Sequence, residues 1–473
     1  MTLVIPGQKF EILDPGLPAV VPGVTAALVM GTSSAGEANK VYSFTQPKDV
    51  VDTLGQGELP EALCYNLNVA GGPMFGVKLE AGIAGVAGAV AKVGTGTGTL
   101  TLGGAPYDAY TLKVLITKGG ALGVAEFTFT LDGTTWSDVL TVPAGGSFAG
   151  IAGLTGLTLT FTGDFVQGDL HSATCTAPFY NPTNLADGMN AVLDSNVDFA
   201  FIQLTGEPAT AAAGKILAAA LDVHCLSLFN QARFVRAMLS VGVDQANSIT
   251  EYAGYASGRV LGVYHRCTML SSKPMAGWSV IERPFVNPVA ARAAASLIST
   301  DLGRVASGAL PGVVGIGHDE ARSPMLDAKR FTTSRTVQGK PGYYITNGRL
   351  MSAPGSDFRY WQHGRCMDAA CRTAWIVQSV LIGASCRTVG PGTIDPRDAA
   401  RWEGPIRTAL DETLMSPDDA EGTKGHVSGF KYSIDRTTNV LASDSIYTDV
   451  GIKPRGYAKF IYTRLSYTTN TGA

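Results

Sequence analysis

From residue 24 to residue 79, apolar runs of strand length alternate with apolar positions at helical spacing. Residues 24–30, apolar but for Thr25 and closed by Gly31, have the pattern of a buried strand. Val41–Phe44 reads as a second strand. Val50, Val51 and Leu54 mark a helix opening at Pro47, and Leu63, Leu67 and Ala70 share one stripe of a helix over residues 59–70. Gly71-Gly72-Pro73 ends that helix, and residues 74–79 return to a strand pattern. Strand, helix and strand in alternation predict an α/β layer.

Near residue 81 the helical period disappears. Residues 81–178 are dominated by Gly, Thr, Ala and Val, with alternating strands at 110–116, 126–131 and 157–161 and a hairpin signal at Asp132-Gly133. Short strands with glycine turns predict a small all-β sandwich or barrel. The α/β pattern resumes behind it, so this region reads as an insertion. A helix is expected at 184–196, with Leu185, Met189, Val192 and Leu193 inward and Asn184 as its cap. A strand at 197–204, a helix at 208–222 opened by Pro208, a strand at 259–264 and a helix at 288–302 complete one mixed sheet flanked by helices. Beyond Gly339 the pattern predicts a hairpin at 343–351 turning at Asn347-Gly348 and a helix at 364–381. A second helix at 397–414 is expected to break or kink at Gly404-Pro405, with strands at 429–434 and 446–452 after it.

Both ends are extendable. Residues 1–23 carry Pro6, Pro15, Pro18 and Pro22, which oppose a helix; within them Phe10, Ile12 and Leu13 form a short segment able to pair as a strand. At the other end Tyr457, Ile461, Leu465 and Tyr467 occupy one strand register, and Ala458, Phe460 and Tyr462 the other. A strand apolar on both faces needs cover on both. It is either sewn into its own domain or given to a neighbouring subunit. The expected organisation is an arm at 1–23, an α/β core at 24–80 and 179–338, and the β insertion at 81–178. An α+β C-terminal domain follows at 339–455, and a second arm at 456–473.

Composition adds one point. Of 473 residues only 16% are charged and 45% are hydrophobic, against about 25% charged in an average soluble domain. Surface so poor in charge favours large subunit interfaces. A net charge of −3 gives no electrostatic case for nucleic acid or anionic membrane as a partner. No run reads as long and apolar enough to span a bilayer, and the first residues lack the basic and apolar segments of a signal peptide, so synthesis in the cytoplasm is expected. Seven scattered cysteines (64, 175, 225, 267, 366, 371 and 386) do not form a disulfide framework, and buried thiols are expected.

No catalytic constellation emerges. Gly31-Thr32-Ser33-Ser34-Ala35-Gly36 has the outline of a phosphate loop, but Glu37 and Ala38 stand where Lys and Ser or Thr are required. The same stretch matches in outline the nucleophile loop of subtilisin-type proteases, in which a histidine precedes the serine; here the first histidine is His171. His363, Cys366 and Cys371 lack zinc spacing. His318-Asp319-Glu320 and the acidic run at 418–421 read as solvated loops. No metal or other cofactor is expected, and the chain is not expected to be an enzyme.

Several stretches in order carry a resemblance: the strand 24–31, Phe44-Thr45-Gln46-Pro47 through Leu54-Gly55, Gly71-Gly72-Pro73-Met74-Phe75-Gly76-Val77, Gly342-Tyr343-Tyr344-Ile345-Thr346-Asn347-Gly348-Arg349, Arg365-Cys366-Met367-Asp368 and Pro454-Arg455-Gly456-Tyr457-Ala458-Lys459. In these the chain resembles the tail sheath proteins of contractile phage tails and related injection machines. The resemblance implies hexameric rings stacked helically around an inner tail tube, bounded by baseplate and tail terminator proteins, in a virion tail assembled in the host cytoplasm. It also implies arms exchanged between subunits and contraction that drives the tube through a cell envelope. A non-contractile surface or capsid subunit, or a hydrolase of subtilisin-like shape, are the alternatives.

Overall fold

The computed structural model describes residues 26–463. Its central sheet is built from Ala27–Gly31 (β1), Val41–Phe44 (β2), Met74–Lys78 (β3), Phe201–Leu204 (β4), Arg236–Ser240 (β5) and Val260–Val263 (β6). The order is β6-β5-β4-β1-β3-β2, parallel throughout except for β2, which lies antiparallel on the β3 edge. β1 is central and fully buried, as its unbroken apolar run requires. Ala27 and Val29 enter one layer, Leu28 and Met30 the other.

Six helices flank the sheet: Pro47–Leu54 (α1), Glu58–Ala70 (α2), Pro182–Asp194 (α3), Ala211–Asn230 (α4), Gln245–Tyr252 (α5) and Val286–Ala294 (α6). α1, α2 and α6 bring Val50, Leu54, Leu63 and Val289 to one layer. α3, α4 and α5 bring Leu185, Met189, Leu221 and Tyr252 to the other. Each such side chain removed from water contributes roughly 1.5–3 kcal/mol. The layer under α2 and α6 also holds a chain of buried amides: Asn66 Nδ2 donates to Gln203 Oε1 (2.8 Å), and Gln203 Nε2 donates to Asn287 Oδ1 (2.8 Å). These bonds join β4 to both helices.

Several boundaries differ from the pattern. α3 is capped by Asn181, whose side chain accepts from Thr183 N and Asn184 N, while Asn184 bonds back in a capping box. α4 is capped by Thr210 and continues to Asn230. By length and composition α4 is long and apolar enough to cross a membrane, against the expectation that no run is. Leu217, Ala218, Leu221, Cys225 and Leu228 nonetheless pack on the sheet. β5 and α5 lie where no element is expected. α6 stops at Ala294, and the chain turns through residues 297–304, where Asp301 Oδ1 accepts from Gly303 N (2.9 Å).

Residues 83 and 179 pair side by side where the chain enters and leaves the glycine- and threonine-rich segment. Between them two antiparallel sheets enclose Val114, Phe127, Phe129, Leu159 and Phe161. Asp132-Gly133 does not make a simple two-residue hairpin. The carboxylate of Asp132 accepts from Thr134 N (2.8 Å) and Thr135 N (2.6 Å) in its own loop. It also accepts from Ser279 N (2.9 Å) and Val280 N (3.1 Å) in a hairpin formed by Arg266–Met275 and Trp278–Pro284.

Further along, Ser334–Val337 pairs with Lys340–Ile345, and the turn falls at Gly339 (φ 76°) rather than at Asn347-Gly348. Trp361–Ser379 (α7) and Pro396–Leu414 (α8) pack with a hairpin of Gly429–Ile434 and Thr448–Lys453 around Ala370, Ile406, Leu410 and Tyr432. α8 continues through Pro405 without a break. Residues 454–463 form no strand.

Candidate assembly site

The catalytic outlines dissolve on inspection. Ser33 Oγ donates to Ala35 O (2.9 Å) and Ser34 Oγ accepts from Gln56 N (2.8 Å), so the loop satisfies itself. Among the described residues no three His, Cys, Asp or Glu side chains gather into a metal-holding group. Cys64, Cys175, Cys225, Cys267 and Cys366 are buried thiols; Cys371 and Cys386 are half-buried and also unpaired.

The loop at 318–320 is not solvated as expected, whereas in the 418–421 run Asp418 and Glu421 face solvent and only Asp419 turns inward. Glu320 is buried and accepts from Met325 N (2.7 Å) and Asp327 N (3.0 Å), with His318 Nε2 2.8 Å from its other oxygen. Asp419, also buried, accepts from Glu421 N (3.0 Å) and Thr423 N (2.7 Å). Both carboxylates fold their loops around themselves.

Asp419 also meets the C-terminal segment. Here a groove of about 1010 Å³ lies between the turn after α6 and the 418–425 loop. Arg455 pairs with Asp419 and donates to Gly425 O (2.8 Å). Tyr457 OH donates to Ser299 O (2.7 Å), its ring sits 5.8 Å from that of His363, and burial pushes its hydroxyl pKa up. Lys459 pairs with Asp301, donates to Asn347 Oδ1 (2.7 Å) and lies 4.8 Å over the Tyr360 ring. The next residues leave the surface: Phe460, Ile461 and Tyr462 are 80%, 82% and 90% exposed. Of the residues expected to form exchanged arms, Tyr457 is therefore docked on its own chain, while Phe460, Ile461 and Tyr462 project freely. Phe10, Ile12, Leu13, Leu465 and Tyr467 lie outside the described residues. The sequence pattern marks Tyr457 as apolar; nothing local marks Asp301 or Asp419 as its neighbours' counter-charges.

A second charged cluster joins the central layer to the β segment. Arg283 makes two parallel bonds to Asp108 (3.0 and 2.6 Å), both side chains being buried. Glu58, at the first turn of α2, is buried near them. Burial, with the Asp108 charge adding to it, pushes its carboxyl pKa up to about 7.

A family model described as "DUF2586, N-terminal domain" matches residues 6–349. The chain belongs to that family. No curated protein matches this member. Its fold is shared with solved baseplate and sheath structures over nearly the whole length. A chain of the anti-feeding prophage baseplate is 11% identical, with a TM-score of 0.54 over 99% of this chain and 100% of that one. A chain of the anti-feeding prophage helical sheath in its contracted state is 12% identical, with a TM-score of 0.51 over the same shares. The sheath tail protein of Listeria innocua is 12% identical, with a TM-score of 0.50 over 91% and 92%. The resemblance read from the sequence thus holds at the level of fold, and this DUF2586 member is a mixed α/β protein with a sheath-like fold.

Proposed function

We propose that the chain is the structural subunit of a contractile sheath. It polymerises as stacked hexameric rings around an inner tube, and contraction drives that tube through a target envelope. The observation that carries the reading is the fold likeness to a contracted helical sheath over 99% of this chain. Three consecutive exposed apolar residues at 460–462 support it, because an apolar extended segment without cover favours pairing with a sheet edge elsewhere.

In this reading residues 24–80 and 179–338 are the rigid core, 81–178 an outward module and 339–455 the domain nearest the tube. The arms at 1–23 and from residue 460 onward link neighbouring subunits, with Phe10, Ile12 and Leu13 in one and Phe460, Ile461, Tyr462, Leu465 and Tyr467 in the other. Tube, baseplate and tail terminator proteins are the partners, and the location is the tail of a virion or a related injection particle. The work comes from interface buried on contraction, with cores moving as rigid bodies, so no catalytic group is required. Heterologous contacts that do not close on themselves extend into an open tube.

Negative-stain microscopy of the concentrated protein is expected to show striated tubes. Monodisperse particles at every concentration and salt tested would overturn the reading. A chain lacking residues 460–473 is expected to keep its circular dichroism spectrum and lose the tubes.

A further inference from the structure

The docking of the C-terminal segment divides it at one peptide bond. Arg455, Tyr457 and Lys459 alternate with Gly456 and Ala458, and the chain tightens between the last two of them, where Lys459 N donates to Tyr457 O (2.9 Å). Each reaches a different wall of the groove: the 418–425 loop, the Ser299 carbonyl, and Asp301 with Asn347. Phe460, Ile461 and Tyr462 have no such contacts and are almost fully exposed. We infer that Arg455, Tyr457 and Lys459 are a fixed root that stays on its own subunit in the assembly, and that only the chain from Phe460 onward is donated to a second copy. This rests on the sheath reading above.

The argument is electrostatic. Asp301 and Asp419 are buried, and their cationic partners come from this segment. Were the root to leave with the arm, two buried carboxylates would stand without counter-charges until another copy's root filled the groove, and stripping one partner from a buried pair is strongly unfavourable. Tyr457 would lose a partly buried hydrogen bond as well. Phe460 and Ile461 only border the groove, and moving them with Tyr462 onto another copy breaks no ion pair or hydrogen bond of theirs and covers apolar surface. Opposite preferences therefore meet between Lys459 and Phe460. The root sets the point and direction from which the arm leaves, which restricts the sheet edges it can reach.

The test uses the full chain. Unlabelled and ¹⁵N-labelled subunits are mixed as monomers and assembled. The assembly is treated with a carbodiimide, which condenses the Lys459 amine with the Asp301 carboxylate into an amide with loss of water. Mass spectrometry of the linked peptides is expected to show only same-isotope pairs. Mixed-isotope pairs at the frequency of random pairing would overturn the inference, since the root would then lie on a neighbour. Absence of the Lys459–Asp301 amide from assembled protein would overturn it too. Failure of the underlying arm reading gives a separate signature: a chain without residues 460–473 would still assemble.

Discussion

Glu58 is a buried carboxylic acid that forms no ion pair among the described residues. Asp108 and Glu207 face it with negative charge and Arg283 and Arg266 with positive, and Arg283 is already bonded to Asp108. The folded protein holds the Glu58 proton up to about pH 7, against an ordinary value of 4.5. The sign follows from linkage. Because the folded state binds this proton more tightly, the site's contribution to stability is complete below pH 4.5 and is lost as pH rises through about 7. A shift of that size corresponds to roughly 3 kcal/mol. Glu58→Gln is therefore expected to leave the urea midpoint at pH 4 nearly unchanged, raise it at pH 8, and flatten the decline between them. A variant that declines with pH as steeply as wild type would place the titration elsewhere.

At the scale of elements, α7 meets β5 through a residue pair that composition does not reveal. A Cβ on Gly364 would stand 2.1 Å from Arg236 Nε and 2.3 Å from its Cζ. Arg236 cannot easily yield, because its guanidinium is buried and donates to Gly258 O, Gly364 O (3.0 Å) and Asp368 Oδ1 (3.0 Å). Ala is the better helix former by about 1 kcal/mol, yet overpacking of this kind costs roughly 1–3 kcal/mol. Gly364→Ala is expected to lower the melting temperature, as read by calorimetry. The same pair explains why β5 is illegible in the sequence. Its run opens with an arginine, whose burial depends on an aspartate 132 residues away. β1, β2 and β3, with α1 and α2, need no distant partner and stand out from apolar spacing alone. Asn347-Gly348 misleads for a related reason: Asn347 serves Asp327 and Lys459 across the groove, and Gly339 makes the turn. The proposed assembly site is legible only in its apolar half. Phe460, Ile461 and Tyr462 declare themselves, whereas the root depends on Asp301 and Asp419, which tertiary folding delivers.

For the whole molecule, the attachment of the β segment matters most. Its two covalent links run side by side at Ile83 and Phe179, an arrangement that alone would swing like a gate. The hairpin of Arg266–Met275 and Trp278–Pro284 adds further supports. Asp132 accepts from Ser279 N and Val280 N, Leu131 N donates to Gly277 O (2.7 Å), Trp278 packs on Tyr110 at 4.9 Å, and Asp108 grips Arg283. Burial acts to raise the Asp132 carboxyl pKa, and the backbone N–H bonds outweigh it and hold the group well below the usual range. Asp132→Ala is expected to speed hydrogen exchange at the Ser279 and Val280 amides while the amides of β1 and β4 keep their protection. Uniformly faster exchange would mean that the carboxylate stabilises the entire fold instead. Side-by-side links and this clamp together make a cantilever. A sideways pull on the β segment becomes a torque about the two links, and the hairpin bears it as shear across its ladder of hydrogen bonds, delivering the load to the core without bending the chain that joins them.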